Sequence, residues 1–283
     1  MSANEQSSTL LGNHSLVSNE EGAVADALRE RYLAYTNEIS QPAQPRNTFY
    51  TRVVKRLLDI LISLPIVLIT LPFNLIFAVC TFFDVGRPLL YKQSRCGKDG
   101  KPFVMAKFRN MNNNTDENGK LLPAAQRVTR FGKFMRKFSL DELLNFWNVL
   151  IGDMSIIGPR PVPMFFDERM SDRHKQRNAV RPGLECPRVF EPQGKDGKEL
   201  SAYHTKFEND IWYVEHVSFA TDVKMVFKLI QMTFSMKKRG AHASHASYFV
   251  GYDKDGEATS LACFKKQYPQ ETAEILSSAQ DVQ

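Results

Sequence analysis

The sequence has few of the features that mark disulfide-rich, zinc-binding or secreted proteins. Its four cysteines lie far apart, and no pair has the spacing of a zinc site or a redox motif. We therefore expect reduced thiols in a cytoplasmic setting at Cys80, Cys96, Cys186 and Cys263. The first apolar run begins only near Leu57, so we expect no signal peptide.

The sequence also contains no evident internal repeat, no recognisable nucleic-acid-binding motif and no second long hydrophobic segment. A single such segment argues against a channel. The net charge of +6 favours anionic partners, such as lipid head groups, nucleotide phosphates or nucleic acid, without choosing among them. The missing motif and the apolar segment argue against nucleic acid. The 283 residues suffice for one large domain or two small ones.

Residues 57–83 form the strongly hydrophobic segment, which as a helix could cross the ~30 Å core of a bilayer. Pro65 and Pro72 interrupt it, and interior prolines kink or break helices. Positive residues tend to stay cytoplasmic, and we predict a re-entrant helix over residues 51–84 that breaks near Pro72 and returns. An ordinary span is the alternative that base rates favour. The basic flanking residues are Arg52, Lys55, Arg56, Arg87, Lys92, Arg95 and Lys98.

The remaining patterns predict an α+β fold that is mainly helical, with amphipathic surface helices. Residues 88–93 and 101–109 are expected to form strands around a turn at Gly97–Gly100. Residues 124–138 predict a basic amphipathic helix, for which a solvated face and a phosphate or membrane-surface role are about equally supported. Residues 219–236 predict a second amphipathic helix, for which a membrane surface is slightly favoured over the core.

Four regions are expected along the chain. Residues 1–50 are a polar N-terminal extension with a helix over residues 19–35, and residues 51–84 are the membrane helix. Residues 85–239 form a cytoplasmic domain. Residues 240–283 form a peripheral C-terminal tail with a short helix near its end.

An adjacent pair of carboxylates is the first candidate for chemistry. Ser139 and Glu142 have the spacing of a capping box, which predicts a helix that begins at Ser139. On that helix Asp141 lies in line with Asn145 and Asn148, while Glu142 projects to another side. Acidic residues in a first turn are stabilised by ~0.3–1 kcal/mol each, and capping alone is one interpretation. A basic setting also suits metal binding or attack on phosphorus, and the flanking cations are Lys133, Arg136, Lys137 and Arg160.

Arg160 lies between Pro159 and Pro161 in the loop that follows. Because the prolines restrict its backbone, Arg160 can offer paired donors to a phosphate. A structural turn that happens to contain an arginine is the alternative.

The sequence resembles the bacterial sugar transferases, which are monotopic phosphoglycosyl transferases that start glycan assembly. The resemblance covers roughly residues 55–236, about two-thirds of the chain. The most specific block runs from Ser139 through Asp141 and Glu142 to Pro161. The other blocks are residues 55–59, the Gln-x-Arg-x-Gly turn at 93–97, the Lys-Phe-Arg-x-Met strand at 107–111, and residues 181–183 and 207–214.

The resemblance implies a helix-break-helix in one leaflet of the bacterial inner membrane, with the active site on the cytoplasmic face. It implies a ping-pong reaction in which Asp141 attacks the β-phosphate of a UDP-sugar, releases UMP and passes the phosphosugar to polyprenyl (undecaprenyl) phosphate. Asp141 and Glu142 match the catalytic pair, with magnesium (Mg2+) bound nearby. The implied substrate-binding residues are Lys107, Arg109, Arg136, Pro159, Arg160, Pro161, Arg181 and Asp210, and the implied membrane residues are Lys55, Arg56 and Pro72.

The implied partners are a UDP-sugar, polyprenyl phosphate and inner-membrane lipid. A homo-oligomer and downstream glycosyltransferases of capsule, O-antigen, exopolysaccharide or glycoprotein assembly are further candidates. Two segments depart from the family pattern. Leu71 replaces the usual serine before the helix-breaking proline, and residues 184–190 replace a Thr-Gly-Trp segment, so the sugar is left open. The alternative function is a membrane-anchored, non-catalytic scaffold.

Overall fold

A computed structural model describes residues 18–117, 119, 121–194, 197–234 and 247–280. Helix predominates over strand, which confirms the expected mainly helical α+β composition. The α-helices are α1 (Asn19–Ile39), α2 (Lys55–Val85), α3 (Ala124–Arg127), α4 (Arg130–Lys137), α5 (Asn145–Ile151), α6 (Met164–Asp167), α7 (Asp172–Lys175), α8 (Ala202–His216), α9 (Phe219–Phe234), α10 (Leu261–Gln267) and α11 (Pro269–Gln280). The strands are β1 (Leu90–Cys96), β2 (Pro102–Phe108), β3 (Ser155–Ile157), β4 (Gly183–Glu185), β5 (Phe249–Tyr252) and β6 (Ala258–Ser260).

The apolar segment is one uninterrupted helix in the structure. A π-helical turn at Tyr50–Val54 leads into α2, and both Pro65 and Pro72 lie inside α2. The structure therefore does not show the break expected near Pro72. A proline removes one backbone hydrogen bond, whereas the bonds on either side can carry the helix onward. The helix is long and apolar enough to cross a membrane, and only 11% of its most apolar window is buried.

The N-terminal end of α2 is bonded to the body of the protein. Lys55 forms an ion pair with Asp222 of α9, with 2.5 Å between Nζ and Oδ2. Arg56 donates to two backbone carbonyls near the end of α5, at 2.6 and 2.7 Å. Asp59 accepts a 3.0 Å hydrogen bond from the Ser155 hydroxyl at the start of β3. These contacts fix the first turns of α2 against α5, α9 and β3.

The C-terminal end of α2 is bonded to the same body. The Thr129 hydroxyl donates to Asp84 at 2.6 Å, and Arg109 donates to the carbonyls of residues 85 and 87. The rings of Phe77 and Phe108 pack edge to face, with centroids 6.3 Å apart. Both ends of the apolar helix are therefore held by one folded domain.

The two predicted strands form an antiparallel hairpin, from the pair Leu90 and Phe108 to the pair Cys96 and Pro102. A second, parallel pair joins β3 to β4. An isolated bridge between Arg95 and Pro163 links β1 to the loop after β3. The hairpin and this loop thus meet at one place, where the acidic pair also lies.

The basic helix expected over residues 124–138 is two helices. Val128 and Thr129 between them have extended backbone, and the Thr129 side chain caps α4 by accepting from the Gly132 N–H at 2.8 Å. A Cβ at Gly132 would lie 2.2 Å from the Asn110 carbonyl oxygen, so only glycine allows α4 to approach Asn110 this closely. The break therefore places α4 beside the hairpin.

The second predicted amphipathic helix is present as α9 within the described residues. Its Met225 is fully buried, whereas one side of the helix exposes large apolar side chains. The exposed apolar residues of α9 are Phe219, Val223, Val226, Phe227 and Ile230, and others lie on α4 (Phe134) and α5 (Trp147 and Ile151).

The segments at the two ends of the chain pack together. Helix α1 begins with a capping box at Ser18, which confirms the helix expected there. Leu28 of α1 packs with Val250 of β5, Phe264 of α10 and Ile275 of α11 in a core of their own. The sequence did not indicate this association, because its partners are more than 200 residues apart.

Candidate active site

The acidic pair does not open a helix in the predicted way. Ser139 has a left-handed backbone with φ of +54° and makes no capping hydrogen bond through its side chain. An N-cap residue normally has an extended backbone, so the predicted capping box is wrong. Asp141 and Glu142 lie in a 3-10 turn, and α5 begins at Asn145. Asp141 therefore does not lie at the N-terminus of a regular α-helix as expected.

Asp141 is buried and is held by an amide. It is 5% exposed, and the Asn110 side-chain NH2 donates to its Oδ2 at 2.8 Å. The Arg136 guanidinium donates to the other end of the Asn110 amide, also at 2.8 Å. Burial, and next the charge of Glu142, raise the pKa of the Asp141 carboxyl.

Glu142 has a different environment from its neighbour. The Arg160 Nη2 atom lies 2.7 and 2.8 Å from its two carboxylate oxygens. Burial opposes ionisation of Glu142, but the charge and hydrogen bonds of Arg160 outweigh it and lower the pKa of Glu142. The two adjacent carboxyls thus have pKa values displaced in opposite directions, an arrangement that suits two separate roles.

A small cavity of about 60 Å³ lies beside Glu142. Burial lowers the pKa of the Lys107 ammonium that faces it, while Glu142 and Asp141 favour its charged form. Because whole ligands usually need roughly 300 Å³ or more, this cavity suits only a group the size of a phosphate. Its lining residues are Tyr91, Gln93, Arg95, Met105, Ala106, Lys107, Glu142, Asn145, Arg160 and Pro161.

Several residues expected to bind substrate meet at this cavity. Lys107, Arg160 and Pro161 line it. Arg136 reaches Asp141 only through Asn110. Arg160 is also fixed at its other donor, since Nη1 donates to the Leu184 carbonyl at 2.9 Å. In this structure the paired donors expected to meet a phosphate are engaged with Glu142 and the Leu184 carbonyl.

Other residues expected at the site lie away from the cavity. Arg109 bonds to the end of α2, and Arg181 donates to the Gly152 carbonyl at 2.9 Å. Asp210 is 2% exposed and accepts from Arg177 at 2.7 Å. Pro159 uses its carbonyl to accept from the backbone N–H of residue 183. The structure gives these four residues contacts within the protein.

Other residues of the site were not among those expected. Arg95 lines the cavity and donates to the Pro161 carbonyl at 3.1 Å, and Arg177 donates to the Arg160 carbonyl at 2.7 Å. Arg95 and Asn110 lie inside matched blocks, which was the signal that could have identified them. Asn145, which also lines the cavity, lies inside the most specific matched block, whereas Arg177 carried no comparable signal.

The donor set at the acidic pair fits magnesium. Mg2+ prefers oxygen ligands, typically one or two carboxylates together with substrate phosphates. Asp141 and Glu142 supply such carboxylates. A second cluster of carboxylates with metal-ligand spacing occurs in the described part of the chain, at Asp253, Asp255 and Glu257. Its carboxylate oxygens lie 2.5 to 3.1 Å from the Lys198 Nζ atom, so a protein cation already neutralises it.

Fold and site together define a mainly helical α+β domain, anchored on an exposed apolar helix, with a cation-lined acidic pair. The family model for bacterial sugar transferases matches residues 50–236, and the chain belongs to this family. Helix α1 and the elements after residue 247 lie outside the matched region.

Three relatives illustrate the similarity. The sugar transferase EpsL of Bacillus subtilis (strain 168) is 35% identical over 174 residues, which are 62% of this chain and 84% of EpsL. The UDP-N-acetylgalactosamine-undecaprenyl-phosphate N-acetylgalactosaminephosphotransferase of Aeromonas hydrophila is 35% identical over 184 residues, 63% of this chain and 43% of the relative. The UDP-glucose:undecaprenyl-phosphate glucose-1-phosphate transferase of Klebsiella pneumoniae is 33% identical over 191 residues, 65% of this chain and 41% of the relative. The chain thus spans less than half the length of the last two.

Proposed function

We propose that this protein transfers a sugar phosphate from a UDP-sugar to undecaprenyl phosphate and releases UMP. The observation that carries the proposal is the acidic pair itself. A buried Asp141 with a raised pKa adjoins an ion-paired Glu142, beside the cationic side chains of Lys107, Arg95 and Arg160. The names of the Aeromonas hydrophila and Klebsiella pneumoniae relatives support the same reaction, although the sugars they name differ.

The reaction then proceeds in two displacements. An Asp141 carboxylate oxygen attacks the β-phosphorus, the bond from that phosphorus to the UMP oxygen breaks, and UMP leaves with the electron pair. An oxygen of undecaprenyl phosphate next attacks the same phosphorus, and the bond to Asp141 breaks to restore the carboxylate. Asn110 holds Asp141 in position through both steps. Magnesium, held by Asp141 and Glu142, would reduce the repulsion between these anions.

The cations of the cavity serve the same purpose. An attacking carboxylate and a diphosphate repel each other, and the repulsion is strong where water is excluded. Lys107, Arg95 and Arg160 place positive charge at the cavity, where the phosphate oxygens would lie. Because their positions are fixed before substrate arrives, little reorganisation is needed at the reaction step.

We further propose that both ends of α2 face the cytoplasm. A straight helix of 31 residues would be about 46 Å long, more than the ~30 Å hydrocarbon core. A spanning helix would place its ends on opposite sides, yet Lys55 and Asp84 both bond to one folded domain. This supports a monotopic protein of the bacterial inner membrane, with α2 in one leaflet and the exposed apolar side of α9 at its surface.

The reaction is tested by UMP release from a panel of UDP-sugars with undecaprenyl phosphate and magnesium. Without lipid acceptor, a UDP-sugar labelled in the sugar should leave label on the wild-type protein and none on Asp141→Asn. Asp172→Asn is a matched control, because its side chain is 76% exposed. Equal labelling of the wild type and Asp141→Asn would contradict the nucleophile assignment. A folded wild type that releases no UMP from any UDP-sugar would favour the non-catalytic scaffold.

A further inference from the structure

Asn145 presents a buried polar atom that the described protein does not satisfy. It is the first residue of α5, four residues after Asp141, and it is 2% exposed. Its Oδ1 atom is buried and has no hydrogen-bond partner among the described residues. A buried acceptor left without a hydrogen bond destabilises the folded protein, so such atoms in native proteins usually have a reason.

The position of Asn145 points to a ligand. It lines the cavity beside Glu142 together with the cations Lys107, Arg95 and Arg160. The two arginines direct hydrogen bonds elsewhere: Arg95 donates to the Pro161 carbonyl and Arg160 to Glu142. The lining of the cavity therefore combines cations, which attract phosphate oxygens, with an asparagine whose buried side-chain oxygen can only accept.

The cations and the Asn145 oxygen suit different chemical groups, which one substrate can supply together. Phosphate oxygens are acceptors and cannot bond to Asn145 Oδ1, so the part of a substrate that pairs with this atom is an O–H or N–H group. A magnesium ion at the acidic pair is the other group that could satisfy it, and the test below distinguishes the two. In a UDP-sugar the reacting β-phosphate is esterified directly to the sugar, whose hydroxyl and acetamido groups are donors. The polyprenyl chain has no donors, and the uridine lies beyond the α-phosphate. The donor nearest the reacting phosphorus therefore belongs to the sugar.

We propose that Asn145 is a sugar-recognition residue, whose carboxamide oxygen accepts a hydrogen bond from a donor on the sugar while the cations bind its phosphate. The inference rests on the proposed function. It accounts for a buried acceptor kept without a protein partner, because the substrate supplies the partner on binding. A site built to bond to a donor rejects sugars that lack that donor in the same place, since the acceptor is then left unpaired.

The test compares sugar discrimination with stability. For the wild type, kcat/KM is measured for UDP-glucose, UDP-galactose and their two N-acetylated counterparts, and the ratio of the best to the second-best sugar is recorded. Asn145→Ala should lower this ratio by about tenfold, the value of one lost hydrogen bond. Asn145→Asp keeps an acceptor oxygen and adds a charge, so it should lower kcat/KM for every sugar and retain the ratio. If Asn145→Ala turns over too slowly, Kd values for the same four compounds, measured by calorimetry, give the ratio.

Asn148 is the matched control. It is also a buried asparagine of α5, but its NH2 donates to the Val104 carbonyl at 3.0 Å and to Asp153 at 3.3 Å. Asn148→Ala should lower Tm and keep the ratio. Asn145→Ala should leave Tm equal to or above that of the wild type, because Oδ1 has no hydrogen-bond partner to lose among the described residues.

Two outcomes would overturn the inference while leaving the proposed function intact. One is an unchanged ratio in Asn145→Ala, and a raised magnesium requirement beside it would indicate a metal ligand. The other is a wild type that turns over all four sugars equally. A wild type that releases no UMP from any UDP-sugar would instead overturn the proposed function, and this inference with it.

Discussion

The Arg160 Nη2 atom lies 2.7 and 2.8 Å from the two carboxylate oxygens of Glu142, and this contact gives the two adjacent acids different environments. Asp141, one residue earlier, has no such partner and is bonded to the neutral amide of Asn110. A carboxylate neutralised by a guanidinium is a weaker nucleophile than one bonded to an amide. The geometry therefore favours Asp141 for attack and Glu142 for holding charge or metal.

The Arg160–Glu142 contact gives the first prediction. Arg160→Lys keeps the positive charge but loses the planar fork that joins Glu142 to the Leu184 carbonyl. We expect a loss of about 2–4 kcal/mol in transition-state stabilisation, the range for a lost preorganised donor, or roughly 30- to 1,000-fold in kcat/KM. The measurement is steady-state UMP release. Arg188→Lys, which alters an exposed ion pair with Glu191, should be near wild type, and an equal effect of both substitutions would contradict the role.

Asn110 gives a prediction about positioning. Its amide joins Arg136 to Asp141, with both hydrogen bonds 2.8 Å long. Without it, the carboxylate keeps its chemistry but loses its orientation, and a misplacement of about 1 Å can cost on the order of 100-fold. Asn110→Ala should therefore lower kcat by about 10- to 100-fold while KM for the UDP-sugar changes little. A raised KM with normal kcat would show instead that Asn110 binds substrate. The exposed Asn113 provides the control, as Asn113→Ala should have no effect.

The membrane topology can be tested at two exposed positions outside α2. Asn47 precedes the helix and Lys98 lies in the turn of the β1–β2 hairpin. Because both ends of α2 bond to one domain, Asn47→Cys and Lys98→Cys should both be protected from an impermeant maleimide in intact cells. Both should react after lysis, in a background without native cysteines. Labelling of either position from the periplasm would exclude the monotopic arrangement and favour an ordinary span.

Local sequence pattern predicted the parts of this fold that depend on local interactions. The hairpin, the long apolar helix and α9 follow from alternation, length and helical spacing, and all are present. The conformation at Asp141 could not be found in this way. It depends on the packing of α4 against Asn110, which Gly132 permits, and on the left-handed backbone of Ser139. A capping-box pattern contains no information about either contact.

The packing of the N-terminal helix against the C-terminal elements also depends on long-range contacts, so the sequence pattern did not predict it. Glu21 forms part of the cap of α1 and also accepts from the Tyr248 N–H at 3.1 Å. Two weakly patterned segments thus stabilise each other across the chain. Asn145 is a different case. Its predicted position on the helix was close to that observed, but only the folded structure shows that its oxygen has no hydrogen-bond partner among the described residues.

The last prediction concerns acid stability and depends on His204. Its Nδ1 accepts from the Ala258 N–H at 3.0 Å, which joins α8 to β6. Burial, and next the neighbouring His174, lower the pKa of His204 from 6.5 to about 4. Between these two values the unfolded chain binds a proton that the folded protein does not. The free energy of unfolding should therefore fall as the pH falls from 8 to 5, by about 2 kcal/mol at pH 5.

The nearby carboxylate of Glu208 does not reverse the expected loss of stability between pH 8 and 5. Glu208, which faces His174 and Arg173, has a pKa lowered by hydrogen bonds from both, although burial opposes the shift. Its stabilising contribution is present above its unfolded pKa and is lost only at lower pH, below the window in which His204 acts.

His204→Asn keeps an acceptor for the Ala258 N–H but does not titrate, so its Tm between pH 5 and 8 should vary less than that of the wild type. Thermal unfolding in detergent at four pH values measures this. The exposed His216 serves as the control, since His216→Asn should retain the wild-type dependence, and a His204→Asn profile parallel to the wild type would show that other groups govern acid stability.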